Sequence, residues 1–230
     1  GGAGARSAFL TKSLVKSTRD IRVDHIVLLD NDQQKLKTYG EISRELSRRL
    51  DPDLTFEVTS DARAALTGVD YIITTIRAGG DAGRLFDEQT CLAHGVLGQE
   101  TTGAGGFAMA IRSVPTLVYY CTLAREVANP GHLIFNFTNP SGIITQALRS
   151  KGFDNVYGTC DAPSGFIKQL EEILEIPYGT LDIECYGLNH LSWFRNAKVN
   201  GRDVQRELLD NPRTYEHSEM RLFTREMARI

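Results

Sequence analysis

Two residues of this chain combine metal-ligand chemistry with polar, glycine-rich surroundings. Cys160 stands in Tyr157-Gly-Thr-Cys-Asp-Ala-Pro163 and His190 in Tyr186-Gly-Leu-Asn-His-Leu-Ser-Trp193. A thiolate and an imidazole together suit a borderline divalent cation. Two ligands do not make a closed zinc site, so two readings stand side by side. The residues are structural and unrelated, or they form an open site that water and substrate oxygens complete, as catalysis requires. Asn189 adds a polar group beside His190. His25, His94, His132 and His217 have no comparable company and read as bland.

A second constellation opens the chain. Gly1-Gly-Ala-Gly-Ala-Arg-Ser7 supplies Gly2-x-Gly4-x-x-Ser7, with a small residue where a dinucleotide fingerprint has its third glycine. Such a turn lets backbone N–H groups approach a pyrophosphate at a helix N-terminus. Asp30 ends the next predicted strand, where a carboxylate accepts ribose hydroxyls and favours NAD over NADP. Asn136 and Asn139, in Phe135-Asn-Phe-Thr-Asn-Pro140, flank the end of a later strand. Amides there either reach a ligand crevice or cap a turn before proline. Arg77 and Arg84 sit in Ile76-Arg-Ala-Gly-Gly-Asp-Ala-Gly-Arg-Leu-Phe-Asp87, read as a loop leaving a strand. Their guanidinium groups can fork onto a phosphate or a sugar hydroxyl, or pair with Asp87 or Glu88.

These residues need a scaffold, and hydrophobic periodicity predicts one. Strands are expected over 25–30, 54–59, 70–76, 132–138 and 156–159, with helices over 9–17, 35–50, 61–66, 111–128, 143–149, 165–175 and 220–230. Pro115 falls in a first turn or at a kink. Alternation at this spacing predicts right-handed βαβ units and a Rossmann-like, doubly wound parallel sheet of the α/β class. Residues 1–160 are expected to bind the dinucleotide, and 161–230 to begin an α+β substrate- and metal-binding domain. A strand is expected ahead of the Gly-rich turn, and the chain reads as truncated at both ends, most of all after residue 230.

The chain has 230 residues, 41% hydrophobic and 24% charged, with a net charge of −3. No basic tract with interleaved aromatics occurs, which argues against nucleic acid as a partner. No apolar run approaches bilayer-spanning length and no signal peptide is visible, so neither a membrane nor export is expected. Cys91, Cys121, Cys160 and Cys185 are spaced too irregularly for a secreted disulfide framework and fit reduced thiols in a cytoplasm.

Six stretches in order carry a family resemblance. They are Gly1-Gly-Ala-Gly-Ala-Arg6, Ile76-Arg-Ala-Gly-Gly80, Gly98-Gln-Glu-Thr-Thr-Gly103, Asn136-Phe-Thr-Asn-Pro140, Gly158-Thr-Cys-Asp161 and Gly187-Leu-Asn-His190. Together they resemble glycoside hydrolase family 4, the NAD- and metal-dependent glycosidases, over essentially the whole chain. The resemblance implies a fold like that of lactate and malate dehydrogenases. It implies hydrolysis of a 6-phosphorylated disaccharide or glucoside through oxidation at sugar C3, loss of the C2 proton, elimination of the aglycone and addition of water. NAD and a divalent metal, typically Mn2+, would be required, outside the two-carboxylate scheme of most glycosidases.

By position, the resemblance makes Cys160 and His190 the metal ligands. It places Asn139 and Asp161 at the sugar, joined by Asn189, and Arg84 at the 6-phosphate. Gly2, Gly4, Arg6, Asp30, Arg77 and Asn136 fall to NAD, Asn136 near the nicotinamide. The family's base is a tyrosine expected beyond residue 230; Tyr215 is the nearest here and its surroundings do not fit. Asp161-Ala-Pro163 is intermediate between the phospho-α and phospho-β patterns, while residues 95–113 and 187–193 lean towards 6-phospho-β-glucosidase. Related enzymes imply a homodimer or homotetramer. The alternatives are a 6-phospho-α-glucosidase or another family 4 glycosidase and, from the sheet alone, a 2-hydroxyacid dehydrogenase with no use for Cys160.

Overall fold

In the computed structural model, the described residues are 1–16, 21 and 23–217. The chain divides into two compact units, Gly1–Thr159 and Cys160–Ile230. The division falls before Cys160, which therefore belongs to the second unit together with His190.

The first unit alternates helices and strands. In order it contains α1 (Ala5–Lys16), β1 (His25–Leu29), α2 (Gln33–Lys35), a π-helical turn (Leu36–Gly40), α3 (Glu41–Leu50), β2 (Thr55–Thr59), α4 (Ala62–Leu66), β3 (Tyr71–Thr74), α5 (Gly80–Ala93), α6 (Gly103–Val127), β4 (Leu133–Asn136), α7 (Ser141–Ser150) and β5 (Val156–Gly158). β1 pairs with β2, β3 with β4 and β4 with β5, all parallel. The Gly-rich turn touches both sheets: Gly2 N–H donates to Leu29 O at 2.7 Å, and Thr75 Oγ1 donates to Gly1 O at 2.8 Å. Short apolar strands flanked by helices bury both faces of a parallel sheet. Leu117, Ala124, Ile144, Leu148 and Val156 are accordingly fully buried in one cluster.

In the first unit α5 and α6 differ most from the sequence expectation. Gly79, Gly80 and Gly83 punctuate the sequence and predict a loop where α5 stands. Gly79 at φ 83° and Gly80 at φ 61° make the turn, and the helix then runs through Gly83. Arg84 consequently lies on a helix rather than in a loop. α6 begins at Gly103 instead of 111, with Pro115 in its interior. Gly105 and Gly106 are needed there for close approach. A Cβ on either would lie 2.6 Å from the backbone of Gln99 or Thr101. By length and composition α6 is also apolar enough to cross a membrane, which corrects the expectation that no such run exists. Its Leu117, Cys121 and Ala124 lie in the core of the unit.

The second unit carries α8 (Ala162–Leu174), β6 (Leu181–Leu188), β7 (Leu191–Val199), β8 (Arg202–Asp203), α9 (Gln205–Asp210) and α10 (Pro212–His217). β6 and β7 form an antiparallel hairpin that β8 extends. Leu170, Ile173, Leu181, Ala197, Val204 and Leu208 form its core. The buried carboxylate of Glu171, 1% exposed, ties α8 to the start of β6. Its Oε1 accepts from Gly179, Thr180 and Leu181 N–H at 2.7, 2.9 and 3.0 Å. Ser17 and the expected helix over 220–230 lie outside the described residues.

Candidate active site

The glycine turn is built from its backbone upward. A Cβ on Gly2 would lie 2.8 Å from Leu29 N, so packing alone demands glycine there. Gly4 is different. A Cβ at Gly4 would meet nothing within 4 Å among the described residues, and Gly4 is not among those with positive φ. Neither packing nor backbone conformation requires glycine at that position. The vacant space at the start of α1 is the kind that a closely approaching phosphate fills. Ser7 replaces the third glycine without disrupting the turn: it is 7% exposed and its Oγ accepts from Gly4 N–H at 3.3 Å.

Asp30 follows β1 and is oriented by the turn. Its Oδ2 accepts from Ala3 N–H at 3.1 Å and its Oδ1 from Asp32 N–H at 3.0 Å. Carboxylate and glycine turn are thereby fixed relative to one another before any ligand arrives. The Arg6 guanidinium lies 4.8 Å from the centre of the Phe137 ring, a cation–π contact at the end of β4.

The two asparagines of Phe135-Asn-Phe-Thr-Asn-Pro140 separate. Asn136 is 0% exposed. Its Oδ1 accepts from Thr74 Oγ1 at 2.9 Å and Thr138 N–H at 3.2 Å, and its Nδ2 donates to Thr138 O, Ser141 O and Thr145 Oγ1 at 3.2–3.4 Å. Both ends of its side-chain amide are thus bonded within the unit. It locks the end of β4. Asn139 is half-buried, precedes a cis peptide to Pro140, and makes no side-chain hydrogen bond among the described residues. Its amide is the one this strand end offers.

Arg77 and Arg84 converge on one oxygen. Arg77 Nη2 lies 3.4 Å and Arg84 Nη1 3.6 Å from Glu100 Oε2, while Asp81 and Glu88 engage their other faces. The Glu88 hydrogen bond is the largest influence raising the Arg84 pKa. Arg84 pairs with Glu88. Asp87 pairs instead with Arg112 on α6. Glu100 lies inside the Gly98-Gln-Glu stretch, and nothing in the sequence singles it out. The Arg112–Asp87 pair left no mark in the sequence.

The second unit brings Cys160 and His190 together, with Sγ 3.8 Å from Nε2. Ligands at ordinary zinc distances with tetrahedral angles would stand about 3.6 Å apart, so the pair is spaced to share one ion. Sequence and strain account for the placement. Leu188 pairs with Leu191, leaving Asn189-His190 as a two-residue turn with His190 at φ 62°. A non-glycine residue held there costs about 1 kcal/mol or more, and such strain gathers at functional sites. Asn189 Oδ1 is buried without a hydrogen-bond partner among the described residues. A buried acceptor lacking a donor suits a cation or a sugar hydroxyl. Asp161 stands at the N-terminus of α8, exposed, next to Cys160. No group of three or more His, Cys, Asp or Glu that could hold a metal occurs among the described residues. Soft sulfur with imidazole is a donor pair that fits a divalent transition metal.

The first unit is a parallel α/β unit that opens with a glycine turn, and the second carries a close Cys–His pair. The family model for family 4 glycosyl hydrolases matches residues 1–176, and the chain belongs to that family. It is 35% identical over 213 residues to the 6-phospho-beta-glucosidase BglT of Thermotoga maritima, covering 92% of this chain and 50% of that protein. A structure of the 6-phospho-beta glucosidase from Thermotoga maritima with manganese, NAD+ and glucose-6-phosphate aligns at TM-score 0.85 and 32% identity, over 92% of this chain and 51% of that one. A 6-phospho-alpha-glucosidase from gut microorganisms, solved with NAD and Mn2+, aligns at TM-score 0.84 and 31% identity, over 91% and 48%. The chain spans about half the length of the curated relatives it matches.

Proposed function

We propose that the full-length protein hydrolyses glucosides phosphorylated at C6, with the β-anomer preferred, using NAD+ and a divalent metal such as Mn2+. The observation that carries the reading is the Cys160–His190 pair at 3.8 Å beside Asn189 Oδ1, which has no partner among the described residues. A simple dehydrogenase has no use for that arrangement. Bound to this protein, NAD+ supplies a hydride acceptor and the cation supplies Lewis acidity toward sugar oxygens.

The chain's own residues bind and orient. Gly2 fits the turn closely against β1, Gly4 leaves open space for a pyrophosphate at the start of α1, Asp30 accepts from ribose hydroxyls, and Arg6 and Arg77 supply positive charge. Asn136 holds the strand end that presents Asn139, whose amide can donate to one sugar hydroxyl and accept from another. Arg84 supplies a guanidinium for the 6-phosphate. In the second unit Cys160 and His190 would hold the cation, with Asp161 and Asn189 at sugar hydroxyls.

The β preference rests on the family 4 relative at 35% identity, a 6-phospho-beta-glucosidase. A homodimer or homotetramer in the cytoplasm completes the reading. The test uses p-nitrophenyl 6-phosphoglucosides of both anomers, with and without NAD+, Mn2+ and a chelator. Nitrophenol release is expected only when both cofactors are present, and faster from the β-anomer. Release indifferent to NAD+ and chelator would overturn the mechanism, and faster release from the α-anomer would overturn the preference.

A further inference from the structure

Arg77 and Arg84 carry like charges to the same oxygen, Glu100 Oε2. Holding two guanidinium groups there requires the segment between them to be fixed, because each long side chain otherwise relaxes away at little cost. The first unit contains one device suited to that task. Arg112, on α6, donates from Nε to Ala78 O at 3.3 Å, the residue after Arg77. It also donates from Nη1 to Asp87 Oδ1 at 2.8 Å and from Nη2 to Asp87 Oδ2, three residues after Arg84. A Cβ on Gly79 would lie 3.1 Å from Arg112 Nε, so the turn backbone lies directly against the guanidinium. The Asp87 side chain is only 5% exposed, which makes the fork a largely desolvated and directional contact.

We infer that Arg112 is a positioning residue: it grips both ends of the 78–87 segment from beneath and sets the spacing of Arg77 and Arg84 for anionic ligands, without touching them. The inference rests on the proposed assignment of those two arginines to the dinucleotide and the sugar phosphate. Lysine at 112 keeps the charge and the ion pair but cannot fork onto Asp87 while also reaching Ala78 O. A second variant, Asp87→Leu with Arg112→Met, removes both charges together and avoids stranding a buried carboxylate.

The test uses the full-length protein and three readouts: thermal midpoint, amide exchange over 79–83, and calorimetric affinities for NAD+ and for glucose 6-phosphate. In Arg112→Lys the midpoint is expected to hold within a few degrees. Exchange over 79–83 should rise about tenfold, and affinity for glucose 6-phosphate should fall about tenfold, comparable to losses seen when an outer-shell partner is removed. The double variant should show the same losses. Affinities within twofold of wild type in a folded variant overturn the inference, whether or not exchange rises. Failure of wild type to bind glucose 6-phosphate strikes the substrate reading instead. NAD+ affinity then decides the role of Arg112: a loss of about tenfold in the variants upholds it, and unchanged affinity overturns it.

Discussion

Glu171 offers a prediction whose magnitude follows from geometry. One carboxylate oxygen accepts three backbone N–H groups, from Gly179, Thr180 and Leu181, at 2.7–3.0 Å in a side chain 1% exposed. A hydrogen bond to a charged group contributes about 1.5–3 kcal/mol, and three sharing one oxygen do not add in full. In Glu171→Ala the amides of exposed Gly179 and half-buried Thr180 turn to water, while that of buried Leu181 is stranded at about 1–3 kcal/mol. Adding the void left by the side chain brings the expected loss to about 3–5 kcal/mol. Glu171→Gln keeps an acceptor in place without the charge and should lose about 1–2 kcal/mol. Urea unfolding of the full-length protein, followed by circular dichroism, measures both. Amide exchange at 179–181 localises the effect, because those N–H groups should lose protection first. The connection to function is that α8 begins beside Cys160 and β6 leads into His190, so Mn2+ affinity should weaken in parallel. An alanine variant within 1 kcal/mol of wild type, with unaltered exchange at 179–181, would refute the reasoning.

Further consequences are more local. Gly4→Ala adds a methyl that meets no atom of the described residues within 4 Å. Its stability should stay within about 0.5 kcal/mol of wild type while NAD+ affinity drops, as calorimetry would show; unchanged affinity would remove the cradle assignment. Asn136→Ala deletes a fully buried amide bonded at both ends and should cost about 2–4 kcal/mol by denaturant titration, with NAD+ affinity lowered only as stability falls. Burial pushes the Cys121 thiol up to about 11, with Arg125 pulling weakly the other way. The folded state therefore keeps a proton that the unfolded state releases above about pH 9, and stability should decline from there toward pH 11. At pH 8 a thiol reagent should label exposed Cys185 and spare buried Cys121; early labelling of Cys121 would contradict its burial.

The sequence was most legible where local rules dominate. Apolar runs ending in Asp30 and Asn136 marked parallel strands, and Asp61 marked a helix start that its Oδ1 indeed caps, accepting from Arg63 and Ala64 N–H. Glycines misled where they serve contact rather than flexibility. Gly105 and Gly106 hid the first turns of α6, and Gly80 and Gly83 hid α5 altogether. Asn136 was assigned outward because strand-end amides commonly face a crevice, whereas Thr74 and Thr145, distant in sequence, turn it inward. Arg112 with Asp87, and Glu171 with the 179–181 turn, are pairings that only the fold creates. Cys160 and His190 stood out by residue type and surroundings, yet their spacing alone left two readings open. The 3.8 Å approach comes from a hairpin turn that no short pattern encodes.

The proposed bond cleavage proceeds by proton loss at C2 of the sugar, assisted by NAD+ and a divalent cation. It is tested most directly with p-nitrophenyl 6-phospho-β-glucoside carrying deuterium at C2, turned over in ordinary water by the full-length protein with NAD+ and Mn2+. The account predicts that the glucose 6-phosphate released has exchanged its C2 deuterium for solvent hydrogen. Full retention of the deuterium would contradict it.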